Sequence, residues 1–528
     1  MTARIHAGGR DRETRYSALT RVIGHWIRQV RHQRVTLDAA LEAVRDHNAA
    51  MIVPPWPEAR LHREFLALLK VDIGRNGPMP TEDASDECSD PPALSEDGLA
   101  AIFVARHGRE WRHVAAWGAW LCWTGTLWLR DDTMAVRELV RQVCRAAIGP
   151  GAKASEAKRV ASDRTIRAVE RIAAADPAVA ARAGDWDCDA LLLNTPGGII
   201  QLETGEVLPH DPARMLTQIA NASPGCASPH WNAFLTEVAD GDADLVAYLR
   251  RLSGYCLSGC TEEQVFAFLY GSGANGKSVF LQAISHVLGT YAATAPLGTF
   301  MASRNDAHPT DLAGLVGKRL VTVTETEAGR AWAESRIKTI TGGDPIRARF
   351  MHRDFFEFTP TFKLAVAGNH RPRLTGVGEA MRRRMHLVPF TVTIPPERRD
   401  KRLLERLLAE RDGILGWMLE GFAAWREIGL SPPASVLQSA EEYFADEDLV
   451  GQWIEEFCVL GQVHRAAARE LFQSWSGWAA GTGAEVGSQK MLGDALRERG
   501  FVSKKLGGQR GWLGIALRRG AAEGGSAE

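Results

Sequence analysis

The stretch FLYGSGANGKSVF, residues 268–280, places three glycines within six residues between two apolar segments. It fits the pattern G-x-x-x-x-G-K-[ST] at every fixed position. Backbone N–H groups can wrap a phosphate chain only where side chains do not obstruct them, which accounts for the glycines. Lys277 can then reach the β- and γ-phosphates, and the Ser278 hydroxyl can ligate Mg²⁺. We therefore predict a phosphate-binding loop that consists of Gly271, Ser272, Gly273, Ala274, Asn275, Gly276, Lys277 and Ser278.

The flanks of this loop support the same interpretation. VFAFLY (265–270) is apolar and β-rich, which is typical of a buried strand. SVFLQAISHVLG (278–289) has its apolar residues on one helical face and stops at a glycine. A strand, a glycine-rich loop and a helix N-terminus together form an anion site. A nucleoside triphosphate with Mg²⁺ is the expected ligand pair, and the loop alone does not distinguish ATP from other triphosphates.

Two later apolar runs end in polar residues that suit the same site. KRLVTVTETEAG (318–329) ends with Glu325 and Glu327, and a carboxylate there can hold Mg²⁺ and polarise the attacking water. TFKLAVAGNHRP (361–372) ends with Asn369, which can hydrogen-bond the γ-phosphate or that water. The plainer alternatives are solvated charges at a strand exit and an asparagine that caps a turn.

AMRRRMHLVPF (380–390) places three arginines before a strand-like run. One nucleotide site rarely needs three, and an extra arginine is often offered to a neighbouring subunit's nucleotide, where it stabilises transition-state charge. That use requires a ring or another close assembly. The alternative is a solvated basic face.

Composition sets the class of protein. The 528 residues are 45% hydrophobic and 24% charged, with a formal net charge of −1, as in an ordinary soluble protein. No apolar run approaches the roughly 18 residues that span a bilayer, and the N-terminus lacks the apolar core of a secretory signal. The eight cysteines are scattered without zinc spacing, which indicates reduced thiols. We expect a cytoplasmic protein without a membrane partner.

The pattern of apolar residues predicts a multidomain α/β protein. Its centre would be a P-loop domain with a parallel sheet and flanking helices, which the resemblance to a known family implies to be AAA+-like. The predicted segments are a helical domain (1–75), an acidic Pro/Ser linker (76–98), a mixed α/β and helical region (99–262), the ATPase core (263–395), a helical connection (396–440) and a basic C-terminal domain (441–528).

Residues from about 100 to 395 resemble the helicase half of phage/plasmid primase–helicases. These are superfamily 3 helicases related to the poxvirus primase–helicase NTPase. The resemblance lies in LLLNTPGGIIQLETGEVLPHDP (191–212), HWNAFLTEVADGDADLVAYLRRLSGYCLSG (230–259), the glycine-rich loop, ETEAGRAWAESRIKTITGGDPIRARFM (325–351) and the arginine stretch, in the family's order.

The resemblance implies a role for each matching residue. Lys277 and Ser278 belong to Walker A, and Glu325 and Glu327 occupy Walker B, with metal ligand and base left open between them. Asn369 matches the sensor. The arginine finger falls at Arg383 or Arg384, and we favour Arg384 because it directly precedes the apolar strand pattern.

The family also carries a DNA-gripping hairpin between Walker B and the sensor, here GGDPIRARFMHRDFFEF (342–358). Basic residues beside an aromatic suit a single-stranded backbone. The alternative is a surface hairpin with ordinary charges. The candidate residues are Arg347, Arg349, His352 and Arg353, next to Phe350.

Both ends of the chain resemble further parts of these proteins. The N-terminal helices resemble the small domain that follows the primase domain, and no clustered acidic residues of a primase centre precede residue 100. The expectation is either a truncated gene product or a primase on a separate chain. The C-terminal part resembles a winged helix with SKKLGGQRGWLGIAL (503–517) as the wing. Lys504, Lys505 and Arg510 would contact phosphates, unless they only form a basic solvated tail.

The expected function is an ATP-dependent DNA helicase of a phage, prophage or plasmid. The resemblance implies a homohexameric ring on single-stranded DNA with 3′→5′ polarity, acting at origin DNA. One alternative is an origin-binding or loading ATPase that does not unwind. Another is an inactive remnant of a primase–helicase.

Overall fold

The computed structural model describes residues 5–6, 15–32, 34–77, 79, 94–150, 152–225, 227–302, 310–324, 331–351, 354–372, 374, 379–506 and 508–518. The chain divides into two compact units. The first contains residues 1–103 and 139–173, and the second contains residues 104–138 and 174–528.

The first unit begins with a helical layer, as the apolar spacing predicts. Thr36 caps the second helix by accepting a hydrogen bond from the Ala39 N–H at 3.1 Å. The buried Asn48 side chain donates to the Trp56 carbonyl and accepts from its N–H, at 3.0 and 2.9 Å, and so fixes the turn to the third helix. The elements are β1 Ile5–His6, α1 Arg15–Arg31, α2 Leu37–Met51, β2 Ile52–Val53 and α3 Glu58–Asn76, with β1 and β2 paired in parallel.

A mixed four-stranded sheet and a small antiparallel sheet follow between short helices. The tryptophan-rich stretch 117–129 forms strands and turns, as its spacing predicts, and contributes Trp128 to a buried cluster with Trp186. The elements are α4 Glu96–His107, β3 Trp111–Val114, β4 Ala119–Trp123, β5 Trp128–Arg130, α5 Ala135–Ala147, α6 Ala154–Val160, α7 Asp163–Ala173, β6 Ala180–Ala181, β7 Leu192–Thr195, β8 Gly198–Gln201 and β9 Glu206–Leu208. The four-stranded sheet has the order β5-β4-β3-β6, in which β3 and β6 are parallel. Strands β7, β8 and β9 form an antiparallel meander with the two predicted turns.

A five-stranded sheet forms the centre of the second unit. Its order is β11-β12-β15-β10-β16 and all its neighbouring strands are parallel, as the prediction of a parallel α/β core requires. The elements are α8 Pro229–Val238, α9 Ala243–Tyr255, β10 Phe266–Tyr270, α10 Lys277–Leu288, β11 Ala292–Thr294, α11 Thr310–Ala313, β12 Leu320–Thr324, α12 Glu334–Gly342, β13 Ile346–Ala348, β14 Phe356–Phe358, β15 Lys363–Gly368, α13 Glu379–Arg382 and β16 Met385–Pro389.

Both faces of this sheet are buried, which explains why its strands are apolar without polar alternation. In β10, Ala267 and Leu269 join the cluster that contains α9 and α10. Phe266 and Phe268 join the opposite cluster, where both rings contact Trp332. The central strand is therefore fixed from two sides, and the loop after it starts from a rigid point.

The last part of the chain is helical and then forms an antiparallel sheet of order β17-β19-β18. The predicted hairpin at 503–517 is present as the β18–β19 pair. The elements are α14 Leu403–Ala409, α15 Arg411–Ile428, α16 Ala434–Glu447, α17 Leu449–Phe457, β17 Cys458–Ala467, α18 Ala468–Thr482, α19 Gln489–Glu498, β18 Val502–Leu506 and β19 Gln509–Leu517.

Two predicted domain boundaries require correction. The boundary at 98/99 falls inside α4, and the boundary at 440/441 falls inside α16. Composition shifts mark these places in the sequence, but the hydrogen bonds of a continuous helix cross them. Neither position is therefore a flexible junction.

None of the helices in the described ranges is both long and apolar enough to cross a membrane.

Candidate functional site

The glycine-rich loop connects β10 to α10, so the predicted strand, loop and helix are all present. Close packing explains two of its glycines. A Cβ on Gly271 would lie 2.0 Å from the Phe390 carbonyl oxygen, and one on Gly276 would lie 2.5 Å from Val238 Cγ1. Gly276 also has φ of 86°, in the left-handed region that favours glycine. No larger residue fits at either position without moving its neighbours.

Residues far away in sequence hold the loop in place. The buried Asn275 side chain donates to the Phe390 carbonyl at 2.8 Å. The Ile394 N–H donates to the Ala274 carbonyl at 2.9 Å. The segment after β16 therefore braces the loop, and the sequence pattern alone did not indicate this contribution.

Lys277 starts α10 and is 5% exposed. Its Nζ donates to the Gly271 carbonyl at 2.8 Å, to Asn275 Oδ1 at 3.0 Å and to Asn369 Oδ1 at 3.2 Å. Burial lowers the pKa of this lysine below its ordinary value. The ammonium is thus oriented at the loop by three oxygens, one of which belongs to the exposed Asn369 amide, which can rotate.

Asn369 comes directly after β15, the strand next to β10 in the sheet. The carboxyl ends of parallel strands meet at one edge, so this asparagine lies beside the glycine-rich loop. Its hydrogen bond to Lys277 brings together two residues that the sequence predicts for the same site. Ser278 lies exposed in the first turn of α10.

The two predicted carboxylates, Glu325 and Glu327, follow β12 but lie outside the described residues. Strand β12 is the other neighbour of β15 and ends at the same edge of the sheet. Among the residues that the structure describes, no three His, Cys, Asp or Glu side chains cluster as metal ligands. Asp or Glu oxygens with the Ser278 hydroxyl are the ligand types that Mg²⁺ prefers.

The arginine triplet separates into three different environments. Arg384 is 8% exposed, and it donates to the Ala380 carbonyl at 3.0 Å and to Thr341 Oγ1 at 3.2 Å. Arg382 lies over the Phe444 ring at 4.9 Å. Arg383 is exposed. An arginine that serves a neighbouring subunit must reach outward, so these positions favour Arg383 and count against the preference for Arg384.

Arg384 belongs with two other buried cations at the amino edge of the sheet. Arg319 precedes β12 and donates to the Leu192 carbonyl at 2.6 Å. Lys363 starts β15 and donates to the Cys260 carbonyl at 3.2 Å, and burial lowers its pKa to about 7. Arg319 and Lys363 satisfy backbone carbonyls of other segments, and Arg384 joins the turn after α13 to Thr341 of α12, so all three cations have a structural use.

The predicted hairpin forms between β13 and β14, which pair as antiparallel strands. Arg347 and Arg349 lie over the Phe355 ring, with 4.6 and 4.8 Å between guanidinium carbon and ring centroid. Phe350 is 46% exposed. The hairpin therefore presents stacked cations and aromatic rings on its surface, while His352 and Arg353 lie outside the described residues.

The C-terminal hairpin exposes Lys504, Lys505 and Arg510. Lys505 and Arg510 face each other across the β18–β19 pair, and Arg510 Nε donates to Ser503 Oγ at 3.2 Å. Residues 502–517 contain no carboxylate. Like charges directly opposite each other on neighbouring strands repel, so an anion between them would be stabilising.

Sequence reasoning missed Arg371, two residues after Asn369. Its guanidinium lies 4.6 Å above the ring of Tyr270, the residue directly before the loop, and pairs with Asp446 at 3.6 Å. The family motif includes NHRP but gives no sign that this arginine packs against the strand that carries the loop.

Two family models match parts of the chain that contain these features. Residues 100–240 match the model of a family described as D5 N terminal like, and residues 269–384 match a family of unknown function, DUF5906. The second match covers the glycine-rich loop, the hairpin and the arginine triplet. The two matches together follow the region in which the sequence resembles the primase–helicases.

Two viral relatives carry the same region. The chain is 27% identical over 247 residues to the Acanthamoeba polyphaga mimivirus protein named "Putative helicase L207/L206", an alignment covering 43% of this chain and 26% of that protein. It is 25% identical over 313 residues to the Frog virus 3 protein named "Putative helicase 022R", covering 54% of this chain and 31% of that protein. The chain thus spans less than a third of either relative.

Among solved structures, the apo C terminal region of NrS-1 aligns with 79% of this chain and 99% of its own, at 10% identity and a TM-score of 0.42. That likeness is too loose to carry an argument. The family and viral matches confirm the resemblance predicted from the sequence. Over the matched residues the chain is similar to these proteins, and its described part is a multidomain α/β protein with a parallel central sheet.

Proposed function

We propose that the chain is an ATP-dependent DNA helicase motor. The observation that carries this proposal is the meeting of Lys277, the glycine-rich loop and Asn369 at the carboxyl edge of one parallel sheet. Such a loop followed by a helix N-terminus suits the phosphates of a nucleotide. The helicase names of the two viral relatives support the choice of a motor over other nucleotide enzymes.

Each residue of the site has a part in the proposed hydrolysis. Lys277 would neutralise charge on the β- and γ-phosphates, and the loop from Gly271 to Gly276 would offer its backbone N–H groups. Ser278 and one of Glu325 and Glu327 would hold Mg²⁺, which supplies charge stabilisation at the phosphates when bound. The other glutamate would orient the attacking water, and Asn369 would hold that water or the γ-phosphate.

The proposed assembly is a homohexameric ring with the nucleotide between subunits. Arg383 would reach the neighbouring subunit's nucleotide, because it is exposed, whereas the exposed Arg382 lies over the Phe444 ring and Arg384 is hydrogen-bonded within its own chain. A polar side chain that is exposed in the monomer can be buried at such an interface without losing internal partners.

Single-stranded DNA would contact the β13–β14 hairpin. Arg347 and Arg349 provide charge for the backbone, and the exposed Phe350 provides a stacking surface for bases. His352 and Arg353 would extend this surface. Movement of the hairpin with hydrolysis would carry the strand, with 3′→5′ polarity by family resemblance.

A second candidate function is an origin-binding or loading ATPase that does not unwind. The acid-free C-terminal hairpin favours it, since Lys504, Lys505 and Arg510 suit the backbone of duplex DNA. The same hairpin would serve a helicase as a winged-helix contact with origin DNA.

ATP turnover by the full chain, measured with and without single-stranded DNA, separates these functions. A motor is expected to hydrolyse ATP faster with DNA, and the double variant Arg347→Ala, Arg349→Ala should keep basal turnover but lose the stimulation. Lys338→Ala is the matched control, because this lysine pairs with Glu334 on α12, outside the hairpin. Turnover indifferent to DNA in the wild-type chain would favour the loader, and no turnover would favour an inactive remnant.

A further inference from the structure

The segment that follows β15 (residues 369–372 with Leu374) connects Lys277 to α16. Its first residue, Asn369, accepts from Lys277 Nζ at 3.2 Å. Its third residue, Arg371, stacks on Tyr270 of β10 at 4.6 Å and on Tyr443 of α16 at 5.8 Å. One arginine therefore touches both the strand that carries the glycine-rich loop and the helix that leads into the C-terminal elements.

Helix α16 holds this segment at several further points. The Tyr443 hydroxyl donates to the Pro372 carbonyl, and the Leu374 N–H donates to Glu447 Oε2 at 2.9 Å. The Tyr270 hydroxyl pairs with Ser439 Oγ at 3.0 Å. Tyr443 is 1% exposed. The segment cannot shift without moving α16 or breaking these bonds.

Helix α16 also passes directly into the C-terminal elements. Asp448 is both the C-cap of α16 and the N-cap of α17, and it accepts from the Gly451 N–H at 2.8 Å. The same carboxylate pairs with Arg499 at the end of α19. A displacement of α16 would therefore also displace α17 and α19, which pack against the sheet of the cationic C-terminal hairpin.

The hydrogen bonds of Lys277 supply the route by which a nucleotide would act on the segment after β15. In one arrangement Lys277 donates to Asn369, and in the other it would donate to a phosphate oxygen instead. An ammonium has three donors, and here three oxygens accept from it. A phosphate oxygen at Lys277 would have to replace one of them, and the longest bond is that to Asn369. Replacement would free the Asn369 amide to turn toward the phosphate, and the segment after it would follow.

We infer that Arg371 is a positioning residue that couples nucleotide binding at Lys277 to the position of α16 and, through Asp448, to the C-terminal elements. This inference rests on the proposed function, since it requires a nucleotide at the glycine-rich loop. The coupling is a difference between two arrangements of the segment, which the nucleotide biases through Lys277 and Asn369.

Arg371→Ala tests the inference, with Arg426→Ala as the matched control. Arg426 also lies over an aromatic ring, that of Trp425, and pairs with Glu203 at 3.6 Å, the same distance as Arg371 and Asp446. It lies on α15, outside the segment. A non-hydrolysable ATP analogue with Mg²⁺ is the probe, and its binding is measured first by calorimetry on each full-length variant.

Amide hydrogen exchange in α16 and α17 then reports the coupling. In the wild-type chain and in Arg426→Ala, the analogue is expected to change exchange rates there by about fivefold or more, the lower range of ordinary coupling between sites. In Arg371→Ala the analogue should still bind, but the change in α16 should disappear. Tyr443→Phe, which removes only the hydroxyl bond to Pro372, should reduce the change.

The outcomes are distinguishable. Binding of the analogue with an unchanged α16 response in Arg371→Ala would overturn the inference alone, and so would binding to the wild-type chain without any response in α16. Absence of binding to the wild-type chain would overturn the proposed function together with the inference. Should Arg371→Ala fold poorly, Tyr443→Phe carries the same comparison.

Discussion

Two buried lysines lie at opposite edges of the central sheet and are used differently. Lys277, 5% exposed at the carboxyl edge, donates to two side-chain amides and one carbonyl. Lys363, 4% exposed at the amino edge, donates to the backbone carbonyls of Ser258 and Cys260 and lies over the Tyr255 ring. Equal burial therefore does not indicate equal function. Partners that can rotate suit a ligand site, whereas fixed carbonyls suit a structural one.

The largest expected effect concerns the arginines. Arg383→Ala should lower ATP turnover by about 10³-fold, the lower range for an arginine that stabilises transition-state charge, while ATP binding persists. Arg384→Ala should instead lower the melting temperature, since this arginine belongs with the amino-edge cations. Turnover and thermal unfolding of both variants check this. Normal turnover in Arg383→Ala would show that Arg383 does not stabilise the transition-state charge.

The next effect concerns Lys277. Lys277→Ala should lower turnover by about 10²-fold or more, because a charge-stabilising donor at the phosphates is lost. Its melting temperature should change little, since the exposed Asn369 amide can turn to water and Asn275 keeps its bond to the Phe390 carbonyl. Steady-state turnover and a thermal scan provide the two measurements. A large loss of stability with only a modest loss of turnover would show that Lys277 is a structural lysine and would contradict its assignment to the ligand site.

Lys363→Ala is expected to behave in the opposite way. Its removal leaves buried carbonyls without a donor, which should cost about 3 kcal/mol of the free energy of unfolding. Chemical denaturation of the full chain measures this loss. Turnover per folded molecule should be nearly unchanged. If instead Lys363→Ala is as stable as the wild type, the amino edge is not a structural anchor.

The smallest expected effect is on the pH dependence of stability, and it concerns a third basic side chain, that of His386. Burial lowers the pKa of His386 in β16 to about 4, and its Nδ1 pairs with the Tyr248 hydroxyl at 2.7 Å. The unfolded chain takes up this proton near pH 6.5 and the folded chain does not, so stability should fall as pH drops below 6.5. The loss from pH 8 to pH 5 should be roughly 2 kcal/mol.

His386→Gln isolates this contribution, because it removes the titration and retains a polar side chain beside Tyr248. The difference in stability between the wild-type chain and the variant should therefore narrow or reverse as pH falls from 8 to 5. Denaturant titrations at several pH values supply the measurement. A difference that stays constant over this range would show that His386 titrates normally in the folded chain.

The local parts of the fold could be predicted from sequence because their signals are local. The run 265–270, the loop and the face of α10 carry a continuous apolar strand, glycines and helical spacing within 25 residues. The hairpins at 342–358 and 503–517 are similarly short-range. What the sequence could not provide was strand order, since nothing near β15 indicates that it lies between β12 and β10.

The same limit applies to the site. Asn369 was predicted for the correct edge of the sheet, but its bond to Lys277 joins residues 92 positions apart. The brace from Phe390 to Asn275 joins residues 115 positions apart, and no pattern marks it. Arg384 illustrates the remaining gap, because three successive arginines look alike in sequence until helix α13 turns one of them inward.

Asp448 ends one helix and begins the next, which constrains how the C-terminal domain can be exchanged among related genes. No spacer separates the two helices, so a crossover at 440/441 would join half of α16 to a foreign partner. The turn from 429 to 433, which precedes α16, is a better crossover point because it lies outside any helix. A replacement domain would have to bring its own α16, and with it the side chains that meet Arg371.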